Sequence, residues 1–341
     1  MIAAILHGPG DVRLEELPDP EPGPGEVVIA VTAALTCGTD RKAFRYGHPA
    51  YAAAGGAFGH EFAGTVAAVG AGVARFAVGQ RVVAADSAPC QRCFHCQRGA
   101  FALCEDLEFA FGGFGQLLRL PRRVVAINLH PIPPAVPDVV AALCEPLACA
   151  VKAVRQADVR DGDRVAVLGC GPLGLMLVGL LGQLGAEVVA VDPHPQKLER
   201  AGAFGATARV RARREGADVA AVRAACHGGR GPDHVFEAVG RPQSWELAVQ
   251  MARNGGRVTL FGGCPTGTTV TVSGHRVHYE EVVLAGSYHH DPAAVRESLR
   301  LLEQAPLPWT ELCVGAFALT DLVPILTGAL DLGGHKGVVR P

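Results

Sequence analysis

The sequence predicts an α/β protein made of two units, a mainly β unit and a doubly wound parallel sheet. Before about residue 145, short apolar runs alternate with Gly and Pro, as in EVVIAVTAALTC after the turn run PDPEPGPGE. This pattern is typical of an antiparallel barrel or sandwich. From about residue 147, apolar strands alternate with helical stretches, which is the βαβ signature of a parallel sheet. We interpret QLLRLPRRVVAI, in the first unit, as a further pair of strands.

The end of the chain is too short to form a domain by itself. It carries one helical stretch, AAVRESLRLLEQ, and a segment ending in HKGVVRP. We therefore expect it to return to the first unit, and a chain of 341 residues is long enough for two cores. The predicted domains are residues 1–147 with 290–341, and residues 148–289 inserted between them.

Charge and hydropathy exclude several classes of function. The formal net charge of −2 gives no basic surface for nucleic acid. No stretch approaches the roughly twenty uninterrupted apolar residues of a membrane span. The N-terminal MIAAILHGPGDVRLEEL lacks the basic leader and apolar core of a signal peptide. We expect a cytoplasmic protein without nucleic-acid or membrane partners.

A glycine-rich turn follows the strand RVAVL and begins an apolar helix. In a GxGxxG turn the first glycine allows the tight bend, the second admits a pyrophosphate, and the third lets helix and strand pack closely. The phosphates then lie at the positive end of the helix. The sequence therefore predicts a dinucleotide site that includes Gly169, Gly171, Pro172, Leu173 and Gly174.

Asp192 ends the second strand of this βαβ unit, 23 residues after Gly169. An acidic side chain there accepts hydrogen bonds from the adenosine ribose and repels a 2′-phosphate. The sequence thus favours NAD over NADP, although the same carboxylate could instead cap the helix that follows. Lys197, one turn later, could contact the ribose or be solvated.

Four cysteines lie within fifteen residues, inside the lobe 86–106: Cys90, Cys93, Cys96 and Cys104. In a reducing compartment such crowding favours a metal over disulfides. Four thiolates form a closed tetrahedral zinc shell with no open position, so this zinc would be structural. An iron–sulfur cluster and a nucleic-acid zinc ribbon are the alternatives.

Three separated segments carry a second set of candidate ligands. They are Cys37 in TCGTD, His60 and Glu61 in GHEFAG, and Glu145 in CEPLA. A Cys, a His and carboxylates suit zinc, and a position left for water or substrate is the catalytic arrangement. Taken singly, His60 could be an ordinary polar residue and Glu145 a charge at a helix start.

The ordered set GHEFAGTVAAVGAGV, the four-cysteine lobe, EPLA and GCGPLG resembles the zinc-containing medium-chain dehydrogenase/reductase superfamily. The sorbitol (polyol) and threonine dehydrogenase-like branch is the most similar. The resemblance covers almost the whole chain. It implies a GroES-like catalytic domain, a Rossmann domain and two zinc ions per chain. Cys37, His60 and Glu61 would bind the catalytic zinc, and Glu145 would bind it directly or through water.

The same resemblance assigns further roles. Thr39 matches the Ser/Thr that begins the proton relay, whereas Lys42 stands where relatives carry a relay histidine. The backbone matching Ser287 and Tyr288 lines the nicotinamide pocket, as does a turn made of Phe261, Gly262 and Gly263. A homodimer or homotetramer is implied, joined through edge strands of the Rossmann domain.

The sequence therefore predicts a zinc-dependent oxidoreductase that transfers a hydride between NAD(H) and a secondary alcohol or ketone, a polyol or sugar derivative. A threonine-type or simple alcohol dehydrogenase is the second enzymatic hypothesis. A non-catalytic binding protein on the same scaffold is the alternative from another class.

Overall fold

The computed structural model describes residues 1–212 and 219–341. Within these ranges the chain divides into two compact units. The β-rich unit comprises Met1–Ala148 and His290–Pro341, and the parallel-sheet unit comprises Cys149–His289. None of the helices in the described ranges combines the length and apolar character needed to cross a membrane.

Strands and helices are numbered here in chain order over the described residues. The strands are β1 Ile2–Gly8, β2 Asp11–Glu16, β3 Val27–Leu35, β4 Glu61–Val69, β5 Arg81–Ala84, β6 Ser87–Ala88, β7 Glu108–Phe109, β8 Leu117–Leu120, β9 Leu129–Pro131, β10 Arg164–Leu168, β11 Glu187–Asp192, β12 Ala208–Arg211, β13 His234–Glu237, β14 Arg257–Leu260, β15 Val283–Gly286, β16 Cys313–Phe317 and β17 Lys336–Val339. The α-helices are α1 Gly38–Tyr46, α2 Pro49–Ala53, α3 Arg122–Ile127, α4 Asp138–Ala141, α5 Cys144–Ala157, α6 Pro172–Gln183, α7 Pro195–Ala203, α8 Val219–Ala224, α9 Pro242–Met251, α10 Gly274–His278, α11 Pro292–Gln304 and α12 Leu322–Thr327.

The β-rich unit is built on one large sheet with the order β16-β17-β3-β4-β5-β9, in which β8 also pairs with β3. Its longest ladder joins β3 and β4, whose β-branched and small apolar residues suit a buried antiparallel pair. Strand β17, from the end of the chain, pairs antiparallel with β3 through Val338 and Leu35. The C-terminal segment is therefore part of the sheet that carries Cys37, His60 and Glu61.

The prediction of two strands in QLLRLPRRVVAI is wrong for its second half. The structure has strand β8 followed by helix α3. Pro121 lies between them with φ −68°, and it lacks the N–H that would continue a ladder. Val124 and Val125 are buried from the helix. Their apolar pair looks like a strand in sequence but covers one face of a short helix.

The parallel-sheet unit has the strand order β12-β11-β10-β13-β14-β15, and each of its strand pairs is parallel. The order reverses at β10, since β11 lies on one side of it and β13 on the other. In open α/β sheets ligands bind beyond the carboxyl ends of the strands at such a switch point. Helix α6 starts directly after β10 and is apolar on nearly every side, so it is buried.

Each unit has its own core. The bulkiest side chains in the core of the β-rich unit are aromatic, and fully burying one such side chain stabilises the fold by about 1.5–3 kcal/mol. The largest of them are Tyr51, Phe58, Phe62 and Phe114. The parallel-sheet unit instead has an aliphatic core of alternate strand residues, such as Ala166 and Leu168 on β10.

Candidate active site

The β3–β4 register brings three of the predicted ligands together. Leu35 at the end of β3 pairs with Glu61 at the start of β4. Cys37 follows β3 by two residues and precedes α1, while His60 comes just before β4. One ligand atom from each of Cys37, His60 and Glu61 lies within 4.8 Å of the others. Such a set can hold one metal ion while leaving room for a further ligand.

Buried hydrogen bonds hold the backbone of Cys37 and the imidazole ring of His60 in place. Asp40 is fully buried, and its Oδ2 accepts a hydrogen bond from the Cys37 N–H at 2.8 Å. His60 Nδ1 lies 2.7 Å from the Tyr51 hydroxyl oxygen and 3.1 Å from Asp40 Oδ1. Since Nδ1 is engaged by these groups, Nε2 is the His60 nitrogen left for a metal.

Glu61 is held by a cation from the opposite end of the chain. Lys336 Nζ donates to both carboxylate oxygens of Glu61 at 2.6 Å, and both residues are buried. Burial lowers the pKa of Lys336, but Glu61 and Cys37 outweigh it and raise that pKa above its usual range. Lys336 therefore remains charged and compensates the buried carboxylate.

Glu145 lies outside the Cys37 group, in a neighbouring polar cluster. Ligand atoms of Asp86, Glu145 and His290 lie within 4.8 Å of one another, and all three residues are buried. His290 Nε2 is 3.0 Å from Asp86 Oδ1. Burial, followed by the nearby Asp86 charge, raises the pKa of Glu145 to about 7, and His60 opposes this shift. An electrostatic interaction therefore connects Glu145 with His60.

Thr39 is expected to begin the proton relay, and Lys42 stands where relatives carry a relay histidine; both lie on α1. Thr39 and Lys42 are both exposed in the described structure. His48 comes after this helix and is half-buried, with its ring 5.2 Å from that of Tyr51. Burial and the His60 charge lower the pKa of His48.

The four-cysteine lobe has the geometry of a tetrahedral metal site. Its sulfur atoms all lie within 4.8 Å of one another, with 3.9 Å between Cys90 and Cys96 and 4.0 Å between Cys93 and Cys104. Ligands at 2.3 Å from a tetrahedral zinc are about 3.8 Å apart. Backbone N–H groups of Cys96 and Glu105 lower the pKa of the Cys93 thiol to about 6. The lobe therefore fits zinc.

The glycine turn of the parallel-sheet unit has the local geometry that the fingerprint predicts. Gly169 has φ +91°, and a Cβ on Gly174 would lie 1.8 Å from the Gly169 carbonyl oxygen. A Cβ on Gly171 would meet nothing within 4 Å. Pro172 begins α6, followed by Leu173. The space beside Gly171 is open, which suits the approach of a pyrophosphate.

Asp192 is buried at the end of β11, and its carboxylate binds backbone as well as facing the turn. Oδ2 accepts from the Cys170 N–H and Oδ1 from the His194 N–H, each at 2.9 Å. The alternative that Asp192 caps the next helix is wrong, because the N-cap of α7 is His194 and no side chain among the described residues caps that helix. Lys197 on that helix is half-buried.

The remaining residues assigned to the cofactor lie after β14 and β15, at the carboxyl edge that also carries Gly169. The N–H groups of Phe261 and Gly262 both donate to the Glu237 carbonyl, and Gly263 is exposed. Ser287 is buried, whereas Tyr288 is exposed, and its carbonyl accepts from Lys152 Nζ at 2.6 Å. The parallel sheet therefore brings these turns to one edge.

Sequence reasoning missed four residues around the candidate ligands. They are Asp40, Tyr51, Asp86 and Lys336. A lone Lys in the apolar strand KGVV was the one local signal for an internal ion pair, because a strand buried along its whole length rarely carries a charge without a partner. The others give no comparable signal, since their partners are set by tertiary packing.

Family models match both units. Residues 23–134 match the alcohol dehydrogenase GroES-like domain, and residues 172–304 match the zinc-binding dehydrogenase domain. The chain belongs to the zinc-binding dehydrogenase family. This membership confirms the predicted α/β fold class, with a GroES-like domain and a Rossmann domain. It also confirms the prediction of a zinc-dependent oxidoreductase that uses a nicotinamide cofactor.

Several relatives of this family member match it over nearly its whole length. The erythritol/L-threitol dehydrogenase of Mycolicibacterium smegmatis is 30% identical, over 94% of this chain and 92% of that protein. The L-threonine 3-dehydrogenase of Mesorhizobium japonicum is 32% identical, over 94% and 93%. A zinc-binding dehydrogenase of Sinorhizobium meliloti, solved bound to NADP, has a TM-score of 0.89 and 28% identity, covering 100% of this chain and 99% of that chain.

Proposed function

We propose that this enzyme interconverts a secondary alcohol of a polyol or sugar derivative and the corresponding ketone, with NAD(H) as the hydride carrier. The observation that carries the proposal is the Cys37, His60 and Glu61 group, with its ligand atoms within 4.8 Å of one another. This set leaves an open position where a substrate hydroxyl could bind, unlike the closed four-thiolate lobe.

Two zinc ions per chain follow from these two groups. Cys37, His60 and Glu61 would hold the catalytic ion, with Glu145 acting from outside that set. Cys90, Cys93, Cys96 and Cys104 would hold the structural one. A catalytic zinc supplies Lewis acidity, which lowers the pKa of a hydroxyl bound to it.

The protein residues orient the reactants and move the proton. Asp40 accepts the backbone N–H of Cys37 and so holds that segment in place, while Lys336 donates to the Glu61 carboxylate and holds its side chain. Thr39 would accept the proton of the substrate hydroxyl and pass it toward solvent, which its exposed position allows. The turns after β10, β14 and β15 would hold the cofactor, which supplies or accepts the hydride.

A preference for NAD over NADP rests on Asp192. Its buried carboxylate accepts two backbone N–H groups at the end of β11, where a carboxylate would bind the ribose hydroxyls and repel a 2′-phosphate. Replacing Asp192 by Asn keeps the shape and removes the charge. We expect the kcat/KM ratio of NAD to NADP to fall in Asp192→Asn, and an unchanged ratio would assign the preference elsewhere.

The polar cluster of Asp86, Glu145 and His290 favours a substrate with several hydroxyls over a simple alcohol. Carboxylate and imidazole groups can share hydrogen bonds with the hydroxyl groups of a polyol, whereas a simple alcohol offers one hydroxyl only. The relative that acts on erythritol and L-threitol supports the polyol assignment. The threonine dehydrogenase relative keeps an amino-acid substrate as the second candidate, since a carboxylate cluster also suits an ammonium group.

A homodimer or homotetramer is part of the proposal. Strand β15 is the outer strand of the parallel sheet, and Val283 on it is 47% exposed. An unpaired edge with an exposed apolar side chain is suited to pairing with a second copy. Light scattering of the purified protein would measure the assembly directly.

The proposed function is tested by NAD reduction across erythritol, sorbitol, 2,3-butanediol and L-threonine, with Cys37→Ala as the inactive control. We expect the highest kcat/KM with a polyol and no turnover by Cys37→Ala. Highest turnover with L-threonine would make the amino acid the substrate class. No turnover by the wild type with any of these, despite two bound zinc ions, would contradict the substrate assignment.

A further inference from the structure

The hydroxyl group of the buried Tyr51 lies beside the Nδ1 atom of His60. Tyr51, on α2, is 1% exposed, and its hydroxyl oxygen is 2.7 Å from His60 Nδ1 and 3.1 Å from Asp40 Oδ1. Its ring is held on several sides, with ring centres 4.5 Å from Phe111 and 5.2 Å from Phe58. Packing of the ring against these aromatic side chains therefore fixes the position of the hydroxyl group.

The hydrogens in this group can be assigned from its acceptors. Asp40 Oδ1 is a carboxylate oxygen and can only accept, so the Tyr51 O–H donates to it at 3.1 Å. The Tyr51 oxygen can then accept the His60 Nδ1–H at 2.7 Å. Asp40 Oδ2 accepts from the Cys37 N–H. A continuous chain of hydrogen bonds thus joins His60 to the backbone of Cys37.

A hydroxyl at this position has no packing advantage over a phenyl ring. Burying a hydroxyl without a partner costs about 1–3 kcal/mol, and a phenylalanine would fill the same space. The His60 and Asp40 contacts offset that cost. Asp40 also lies 3.1 Å from His60 Nδ1, so the competing interpretation is that Asp40 alone orients the imidazole.

We propose that Tyr51 is a positioning residue for His60: its hydroxyl fixes the imidazole tautomer that presents Nε2 to the metal, and it ties His60 to Cys37 through Asp40. The inference rests on the proposed function, since it requires a catalytic zinc on Cys37, His60 and Glu61. Loss of such an outer hydrogen bond typically costs 10–100-fold in metal affinity or activity.

Tyr51→Phe tests this inference because it removes the hydroxyl and keeps the ring. The zinc-loaded protein is treated with a competing chelator, and release of each ion is followed with a colorimetric zinc indicator. We expect one of the two zinc ions to bind about 10–100-fold more weakly. The ion in the cysteine lobe should be released as in the wild type, which provides an internal reference. Tyr46→Phe, at a position 64% exposed, is the matched control.

A second readout separates positioning from a general loss of folding. The catalytic ion is replaced by Co²⁺, and its visible spectrum is compared in wild type, Tyr51→Phe and Tyr46→Phe. A changed spectrum in Tyr51→Phe alone, with wild-type circular dichroism, is expected if the imidazole has reoriented. Wild-type zinc release together with a wild-type cobalt spectrum would overturn the inference and leave Asp40 as the orienting group. A wild-type protein with zinc in the lobe alone would instead contradict the proposed function.

Discussion

Lys336 and Glu61 form a buried ion pair across 275 positions of sequence, with Lys336 Nζ 2.6 Å from each oxygen of the carboxylate. Lys336 is the first residue of β17, and Glu61 is the first residue of β4, directly after His60. The return of the C-terminus to the first sheet therefore completes the charge balance of the candidate metal site.

Removal of that cation should destabilise the β-rich unit. In Lys336→Met, Glu61 remains as a buried carboxylate without its partner, and breaking a buried pair in this way costs about 3–5 kcal/mol. Urea unfolding measures the loss. The control is Arg13→Met: Arg13 is 62% exposed and pairs with Asp11 at the surface, so its loss should change the free energy of unfolding by at most about 1 kcal/mol. Equal effects of the two substitutions would show that the ion pair has no special role.

The glycine turn predicts opposite results for two substitutions three residues apart. In Gly174→Ala, the new methyl group would meet the Gly169 carbonyl oxygen at 1.8 Å, so the turn must distort and the Tm should fall. Gly171→Ala meets no protein atom within 4 Å, so its Tm should be close to that of the wild type. It should nevertheless bind NADH at least tenfold more weakly, because the methyl group occupies the space for the pyrophosphate. Fluorescence titration measures binding, and wild-type affinity in Gly171→Ala would place the cofactor elsewhere.

The cysteine lobe should hold one zinc and contribute to stability. Cys104→Ser removes one of four sulfur ligands, so zinc content should fall by one ion per chain and the Tm should fall with it. Cys264→Ser, outside the lobe, serves as the matched control and should retain both ions. A full zinc complement in Cys104→Ser would mean that zinc binding does not require the Cys104 sulfur.

Asp233 should make the stability of the parallel-sheet unit depend on pH. Burial raises the pKa of Asp233, but bonds from His227, the Arg164 N–H and Arg253 outweigh it and lower the pKa to about 2. Because the folded pKa lies below the unfolded value near 4, the stabilisation is present above pH 4 and is lost as pH falls toward 2.

The matching variant is Asp233→Asn. It should lower the stability at pH 7 by about 1 kcal/mol after allowance for solvent screening. The difference from wild type should shrink below pH 4, as calorimetry at successive pH values would measure. A difference that stays constant down to pH 3 would assign the loss to the hydrogen bonds alone.

Local sequence signals were enough for the fold class and for two of the sites. The lobe cysteines lie within fifteen residues, and the glycine turn lies between a strand and the helix that follows it. Their geometry is set by short-range chain constraints. The helix at Arg122–Ile127 was predicted wrongly because an apolar pair of valines has no period over so short a segment.

Contacts between residues that are far apart in sequence could not be predicted from such local signals. The Asp86–His290 contact joins residues 204 positions apart, and Lys336 meets Glu61 through the pairing of β17 with β3. The position of Glu145 was equally undetermined, since the start of α5 could face either the Cys37 group or the Asp86 cluster. The sequence predicts these side chains as candidates, but only the sheet order selects their neighbours.

Zinc stoichiometry, measured together with activity, tests whether Cys37 holds a catalytic zinc ion. Zinc is counted by elemental analysis in the wild type and in Cys37→Ala, and NAD reduction by a polyol is assayed on the same samples. We predict two zinc ions and turnover in the wild type, and one zinc ion and no turnover in Cys37→Ala. One zinc ion in both proteins, or unchanged turnover in Cys37→Ala, would contradict it.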